Sequence, residues 1–493
     1  MDGISTAADY LSANVTELEQ RWAARSDEEW ERAGAAAAVR LFRQAASRVP
    51  AYASFLCDHG VDVASIQTPA DFVLVPATTK STYVDAYPLC SRMWDGDVGM
   101  AALVHASSGT TGEPYYWPCG TEELARSAVL YELVFTRGYG CGSGRSLLLV
   151  CFGMGTWVAG SYTVAAATLL RHKGVRVTTV TPGYNKAESL ALLLRLAPEF
   201  DRVVIAGIPS FVKDLLDVWC AAAGPPKIPV KLFLAGEGFP ETWRSYVCDR
   251  IRGGPEAAVS ILGSADAGLL GFETPRSIAL RRAVAADGGV RSRLFSQDRV
   301  PALLNFVPTH RYFESAEGRL LLTADRAAPL IRYDTSDYGG VLPSSAIDEV
   351  LGIHDPGLAA EGWQCRSLPL VYVFGRGRMS AVLYGANIPA EYVQEFLVHP
   401  QVAPLVSGRF VLETTYSETF TEQLSVRVEL ADGAAVETVP AAWAGLLTDT
   451  LRRRSTEYTN VWQEYGEAAT PVFTLHRYGD PEHFPTTRVR KFS

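Results

Sequence analysis

Positive charge is what this chain is short of. Across 493 residues Lys and Arg number 45 against 54 Asp and Glu, a formal net charge of -9, and no clustered basic footprint of the kind a nucleic-acid surface needs is present. The densest basic run, residues 452–454, has Glu457 just behind it and reads as the solvated end of a helix. C-x-x-C pairs are missing as well. The eight cysteines, at 57, 90, 119, 141, 151, 220, 248 and 365, are scattered, so neither a zinc knuckle nor a disulfide framework is indicated and free thiols in a reducing compartment are expected. A leader with a basic start and an apolar middle does not appear: Asp2 is followed by the helical, charge-rich "ELEQRWAARSDEEWERAGAAAAVRLF", which sets the expectation of a cytoplasmic protein. No repeats or low-complexity tracts interrupt the sequence. The single uncharged stretch of membrane-spanning length, residues 146–170, carries Gly153, Gly155 and Gly160 in its middle, between a β-like "SLLLVCF" and an Ala-rich "TVAAATLL". A buried strand, a glycine-rich turn and a buried helix are expected there, and no membrane span.

What is present is an ordinary globular composition, 48% hydrophobic and 20% charged, on a chain longer than one core usually supports. Residues 1 to about 50 read as helices with one apolar face. Beyond them, continuously apolar runs ("RVVIAG", "VKLFLAG", "AVSILG") alternate with amphipathic stretches ("KAESLALLLRLAPEF", "PSFVKDLLDVWCAAA", "PETWRSYVCDRIRGG"), the pattern of parallel strands covered on both faces. After about residue 275 the pieces become β-rich, and Gly375 and Gly377 mark a linker over residues 374–380. The expected fold class is α/β: a large multi-layer N-terminal domain over residues 1–374 and a small α+β C-terminal domain over residues 375–493.

"HASSGTTGEP", residues 105–114, packs glycines and hydroxyls with almost no bulk. Such a stretch suits a phosphate cradle, in which backbone N–H groups curl round an anion, and it suits a solvated turn equally well. It does not stand alone. "VLVPATTKSTYVDAYP", the loop, "FGMGTWVAG", "AGIPSFVKDLL", "VKLFLAGEGFPETWRSYV", "ILGSADAG", "PLIRYDTSD" and "FGRGRMSAVLYGANIPAEYVQEFL" follow in that order. The series resembles the phenylacetate-CoA ligase branch of the adenylate-forming (ANL) superfamily along nearly the whole chain.

The resemblance implies an N-terminal adenylation domain, a mobile C-terminal lid domain, and the cofactors ATP, Mg²⁺ and CoA. In that family a carboxylate attacks the α-phosphate of ATP and a thiol then displaces AMP, so developing phosphate charge must be neutralised. Ser107, Ser108, Gly109, Thr110, Thr111 and Gly112 are then expected at the β- and γ-phosphates, Gly236 and Glu237 beside the adenine, and Gly263 at the adenylate. The resemblance also puts Asp266 at the metal, Asp337 on the ribose hydroxyls, Arg376 on ribose or phosphate, and Arg332 ordering its loop or near the phosphates. Phe135, Phe152, Met154, Trp157 and Gly160 are expected to wall an aryl-acid pocket, with plain core packing as the alternative, and Glu237 has a helix-cap alternative. Departures from the family are Glu113 where Lys is usual, Asp266 for Glu, and Arg378 at the pivot. In the tail "FPTTRVRKFS" the catalytic cation is either Lys491 or, by alignment with a "GKVRRF"-type ending, Arg488; a basic strand capping the small domain is the plain alternative.

The expected function is adenylation of a small aromatic carboxylic acid and transfer to an acceptor, CoA first. Transfer to an amine or carrier thiol, activation of an oxyanion such as nitrite, and nucleotide binding without turnover remain alternatives. Neither nucleic acid nor membrane is expected as a partner, and the oligomeric state stays open, a homodimer included.

Overall fold

A computed structural model describes residues 6–107, 114–297, 300–352, 367–376, 380–397, 399–431, 433–434 and 438–484. These gather into two compact units, one of residues up to 107 and from 116 to 375, the other of residues 114–115 and from 376 onward. Strands β1 (Ala101–Ser107) and β2 (Tyr115–Gly120) pair as a two-stranded sheet on either side of the glycine-rich run.

The uncharged stretch after them folds as its pattern requires, into strand β3 (Ser146–Cys151), a turn, and the helix Val158–His172. Strands β4 (Val177–Val180), β5 (Arg202–Gly207), β6 (Val230–Leu234) and β7 (Ala258–Ser264) follow, separated by the helices Lys186–Leu196, Pro209–Ala223 and Glu241–Ile251. They pair in parallel in the order β4-β3-β5-β6-β7. Strands β3 and β5, in the middle of this order, are almost wholly buried because helices cover both faces, whereas β4 at its edge carries Thr178 and Thr179. The chain leaves β3 toward β4 but leaves β5 toward β6. Right-handed crossovers then send the two connecting helices to opposite faces and open a crevice outside the carboxyl ends of β3 and β5.

Antiparallel strands continue the sheet: β8 (Gly268–Phe272), β9 (Ala302–Asn305), β10 (Arg311–Ala316), β11 (Arg319–Ala324), β12 (Leu330–Leu342) and β13 (Leu370–Arg376) complete eleven strands in the order β10-β11-β12-β13-β9-β8-β7-β6-β5-β3-β4. The change to β-rich structure comes later than residue 275. The helices Pro275–Ala286 and Gly288–Leu294 intervene. Thr274 and Ser277 form a reciprocal capping box and Pro275 occupies the first helical turn, a start signal that outweighs the composition of the segment.

The N-terminal helices Ala7–Ser12, Val15–Ala23, Asp27–Arg48 and Pro50–Asp58 sit where the apolar face predicted them. Lys173, its side chain 2% exposed, pins the first of them by donating to the carbonyls of Tyr10, Leu11 and Ala13 at 3.0, 3.3 and 2.8 Å and pairing with Glu132 at 3.1 Å. The cation thereby satisfies carbonyls that a helix end leaves open.

The second unit has its own core around Leu383, Phe396, Leu424, Val426, Trp443 and Tyr458. Strands β14 (Ser380–Leu383) and β15 (Ala386–Pro389) form a hairpin; β16 (Val406–Tyr416) and β17 (Glu422–Leu430) are antiparallel, and β18 (Val472–His476) joins β17 in parallel. The basic run 452–454 ends the helix Ala442–Arg454, where Arg453 and Arg454 donate to Glu395 at 2.9 and 2.6 Å. The described cysteines are free, and no described helix is long and apolar enough to cross a membrane.

Candidate active site

Strand β1 ends at Ser107, and several distant segments meet there. The Ala106 N–H donates to the Thr156 carbonyl at 2.9 Å, and a parallel bridge joins Ala106 to Trp157. The turn after β3 is thereby tied to β1. Ser107 accepts from the Trp117 indole at 2.9 Å, and the Trp117 ring meets Tyr333 edge-on with centroids 6.2 Å apart. The Tyr333 hydroxyl donates to Asp266 Oδ2 at 2.9 Å, Ser264 donates to Asp266 Oδ1 at 2.5 Å, and Lys80 Nζ lies 3.9 Å from Oδ2. Ser107, Trp117, Tyr333, Asp266 and Lys80 therefore form one connected path from β1 through β2 and β12 to the turn after β7.

That turn is held from behind. Arg326, buried, donates to the carbonyls of Ala265 and Asp266 and to Glu123 Oε1 at 3.0 Å, where Glu123 is 1% exposed. A buried charge with its counter-charge and carbonyl partners fixes geometry even where its net stabilisation is small. His105, also on β1, is 1% exposed; its Nδ1 lies 3.2 Å from the Ser161 hydroxyl and its Nε2 is buried with no partner among the described residues. Burial first, and the Arg326 charge second, hold its pKa below the ordinary histidine value, so the ring is neutral at pH 7.

Asp266 was expected to hold Mg²⁺. Its carboxylate is 6% exposed and already faces two hydroxyl donors and an ammonium. A divalent cation beside the Lys80 charge, on a carboxylate whose lone pairs already accept from two hydroxyls, is electrostatically unfavourable, so the residues as they stand do not fit the ion and no chemical step runs through it. Within "IRYDTSD", Arg332 is 9% exposed, pairs with Glu314 at 3.1 Å and donates to the carbonyls of Val73 and Val75. It orders the loop, and its place near phosphate is given up. Asp334 holds Arg319 at 2.6 Å, Ser336 turns the backbone left-handed at φ 67°, and the half-buried Asp337 follows.

Gly236 and Glu237 follow β6 at its carboxyl end. Gly236 has φ 87°, and a Cβ there would stand 3.2 Å from Ile208. Glu237 is 8% exposed, and the helix after it begins at Glu241 with Pro240 at its N-cap position. Gly263 lies within β7, where a Cβ would be 3.2 Å from the Gly268 carbonyl.

The expected aryl pocket divides. Phe135 is 0% exposed, stacked on Tyr131 and edge-on to Phe233, and Phe152 is 1% exposed; both are core, because they fill the space under the sheet and offer no free surface. Met154 and Trp157 are 37% and 46% exposed, beside Tyr184 at 38%. These gather round glycines: a Cβ on Gly153 would be 3.1 Å from Tyr184 and 3.4 Å from Trp157, and one on Gly160 would strike the Gly153 carbonyl.

Ser108, Gly109, Thr110, Thr111, Gly112, Glu113, Arg378, Arg488 and Lys491 lie outside the described residues, and of Arg376 only the backbone at the end of β13 is described. Sequence reasoning missed Lys80, Trp117, Tyr333, Glu123, Arg326, His105 and Tyr184. Tyr333 and Lys80 stand inside stretches that the motif series contains, but only the fold reveals that they face one carboxylate.

No family model matches the sequence. The chain is 24% identical over 401 residues to a phenylacetate-coenzyme A ligase of Aromatoleum evansii, spanning 80% of each protein. It is 28% identical over 179 residues to one of Thermus thermophilus, 36% of this chain and 37% of that protein. In fold it is similar to an open conformation of 2-hydroxyisobutyryl-CoA ligase solved with 2-HIB-AMP and CoA, with a TM-score of 0.52 and 16% identity over 93% of this chain and 90% of the other. Over four-fifths of its length the chain is thus similar to a phenylacetate-coenzyme A ligase, at an identity that marks it as divergent, and its fold is like that of an adenylate-forming acid–CoA ligase.

Proposed function

We propose that this ligase joins a small aromatic carboxylic acid to the α-phosphate of ATP, releasing pyrophosphate, and then passes the acyl group to the thiol of coenzyme A, releasing AMP. One observation carries the reading: the end of β1, the turn after β3 with its exposed aromatics, and the Asp266–Tyr333–Lys80 cluster meet at a single place. That place lies at the carboxyl ends of parallel strands, where open α/β sheets bind ligands.

The chain's own residues have distinct parts in the reading. Met154, Trp157 and Tyr184 offer a flat apolar surface to an aryl ring. Asp337 accepts from the ribose hydroxyls, for which an ionised carboxylate has two oxygens. Lys80, its side chain 28% exposed, supplies positive charge where the attacking carboxylate and the α-phosphate would otherwise repel each other. Lys491, with Arg488 as its alternative, is the proposed second cation for the same step, and Glu237 borders the adenine.

The test is pyrophosphate release with ATP over a panel of aryl and alkyl acids, with acyl-CoA formation followed separately. Release is expected with arylacetic or benzoic-type acids and not with short alkyl acids, and acyl-CoA is expected only when CoA is present. Release with no acid in the panel overturns the adenylation reading; release without acyl-CoA overturns the acceptor.

A further inference from the structure

His476 ends β18, and the chain turns back at once through Gly479. Asp480 organises that turn: its Oδ1 accepts from the backbone N–H groups of Glu482 and His483, both at 3.0 Å, and its carbonyl accepts from Phe484 N–H at 2.8 Å. The turn carries His483 over His476, with ring centroids 4.2 Å apart and the planes tilted 36°. His476 Nδ1 is then 3.1 Å from Asp480 Oδ2, His483 Nδ1 is 3.5 Å from Asp480 Oδ1, and one ligand atom from each residue lies within 4.8 Å of the others. We propose that His476, Asp480 and His483 form a binding site for a first-row divalent cation, with zinc the best match.

The spacing is that of ligands around an ion. A tetrahedral centre with metal–ligand bonds of about 2.0–2.1 Å separates neighbouring ligand atoms by about 3.3 Å; the two histidine nitrogens lie 3.1 and 3.5 Å from the two oxygens of Asp480, and the trio's ligand atoms are within 4.8 Å of one another. A trio held by hydrogen bonds alone leaves the account incomplete, because His483 Nδ1 is buried without a hydrogen-bond partner among the described residues and buried polar atoms are normally paired. An ion accepts lone pairs from both imidazoles at once. Two imidazoles and one carboxylate select zinc or a neighbouring transition ion over Mg²⁺ or Ca²⁺, which favour oxygen. The side chains are 11%, 24% and 26% exposed, so an ion in solution reaches them and water can take the remaining position. The site is independent of the ligase reading and stands or falls apart from it.

Full-length protein stripped with a chelator and titrated with cobalt(II) tests it. Expected are the intense visible bands of a tetrahedral cobalt centre, saturating at one ion per chain, bleached by equimolar zinc, with a higher melting temperature in zinc. His483→Ala and His476→Asn, each checked for native circular dichroism, are expected to lose the bands and weaken metal affinity at least about 100-fold. Absence of the bands in the native protein overturns the site. So does their persistence at full intensity in both variants, which would put the ion elsewhere, for example on the exposed Cys57 or Cys90.

Discussion

Asp266 is held by three neighbours of unequal kind, and their removal should separate chemistry from scaffolding. Lys80 stands 3.9 Å away with its side chain 28% exposed, so the pair itself contributes no more than about 1 kcal/mol to stability. Lys80→Met is therefore expected to shift the melting temperature little while lowering the rate of pyrophosphate release on the order of 100-fold, the size of effect that removing one charge-stabilising group has at a reacting centre. Tyr333→Phe acts differently. It deletes a buried donor 2.9 Å from the carboxylate and leaves an acceptor short, at a cost of about 1–3 kcal/mol in unfolding free energy. Denaturant unfolding beside a rate assay distinguishes the two, and equal losses of stability from both would remove Lys80 from the chemistry. Asp337 and Asp266 stood out in the sequence as individual residues because each lies in a short motif. Their surroundings were not: Lys80 and Tyr333 reach Asp266 from opposite parts of the chain, and no local spacing encodes that meeting.

Elements were legible where their period and their burial agree. The apolar runs of β3, β5 and β6 announced parallel strands, and glycines at 153 and 155 announced the turn between β3 and its helix. The helices at 275–294 were hidden behind the apolar β-like pieces that follow them, although Thr274 and Pro275 carried the start signal. The aromatics were ambiguous for a physical reason: a ring in a wall and a ring in a core look alike in sequence, and only exposure separates Trp157 at 46% from Phe135 at 0%. Gly160 tests the wall. A Cβ there would meet the Gly153 carbonyl and stand 2.8 Å from Met154 Sδ, so the helix Val158–His172 must shift away from the turn. Gly160→Ala is expected to lower stability by about 1–3 kcal/mol, the usual cost of overpacking, and to raise KM for the acid while KM for ATP stays near its native value. A KM effect confined to ATP would show that this turn does not receive the acid.

At the scale of the whole molecule the pH response should report two histidines, His105 buried and His310 half-buried, rather than the net charge of -9. His310 is held well below the ordinary histidine value, by burial first and then by the charges of Arg126 and Arg311, and its Nε2 lies 3.2 Å from the Tyr10 hydroxyl. His105 is lowered in the same sense, by burial and then by Arg326. In the unfolded chain both rings take up a proton near pH 6.5, whereas in the folded protein both take it up at lower pH, His310 well below that value. Below about pH 6.5 the unfolded state then binds more protons than the folded one, and stability must fall as pH falls. Glu132 and Glu314, raised chiefly by burial, act in the opposite sense, since the folded state holds their protons longer; the difference between native protein and variant isolates the histidine. His310→Gln, which keeps a partner for Tyr10 but cannot be protonated, is expected to flatten the decline in melting temperature between pH 7 and pH 5. Parallel profiles for the two proteins would mean that His310 stays uncharged in the unfolded chain as well, or is protonated in both, and that the acid response arises elsewhere.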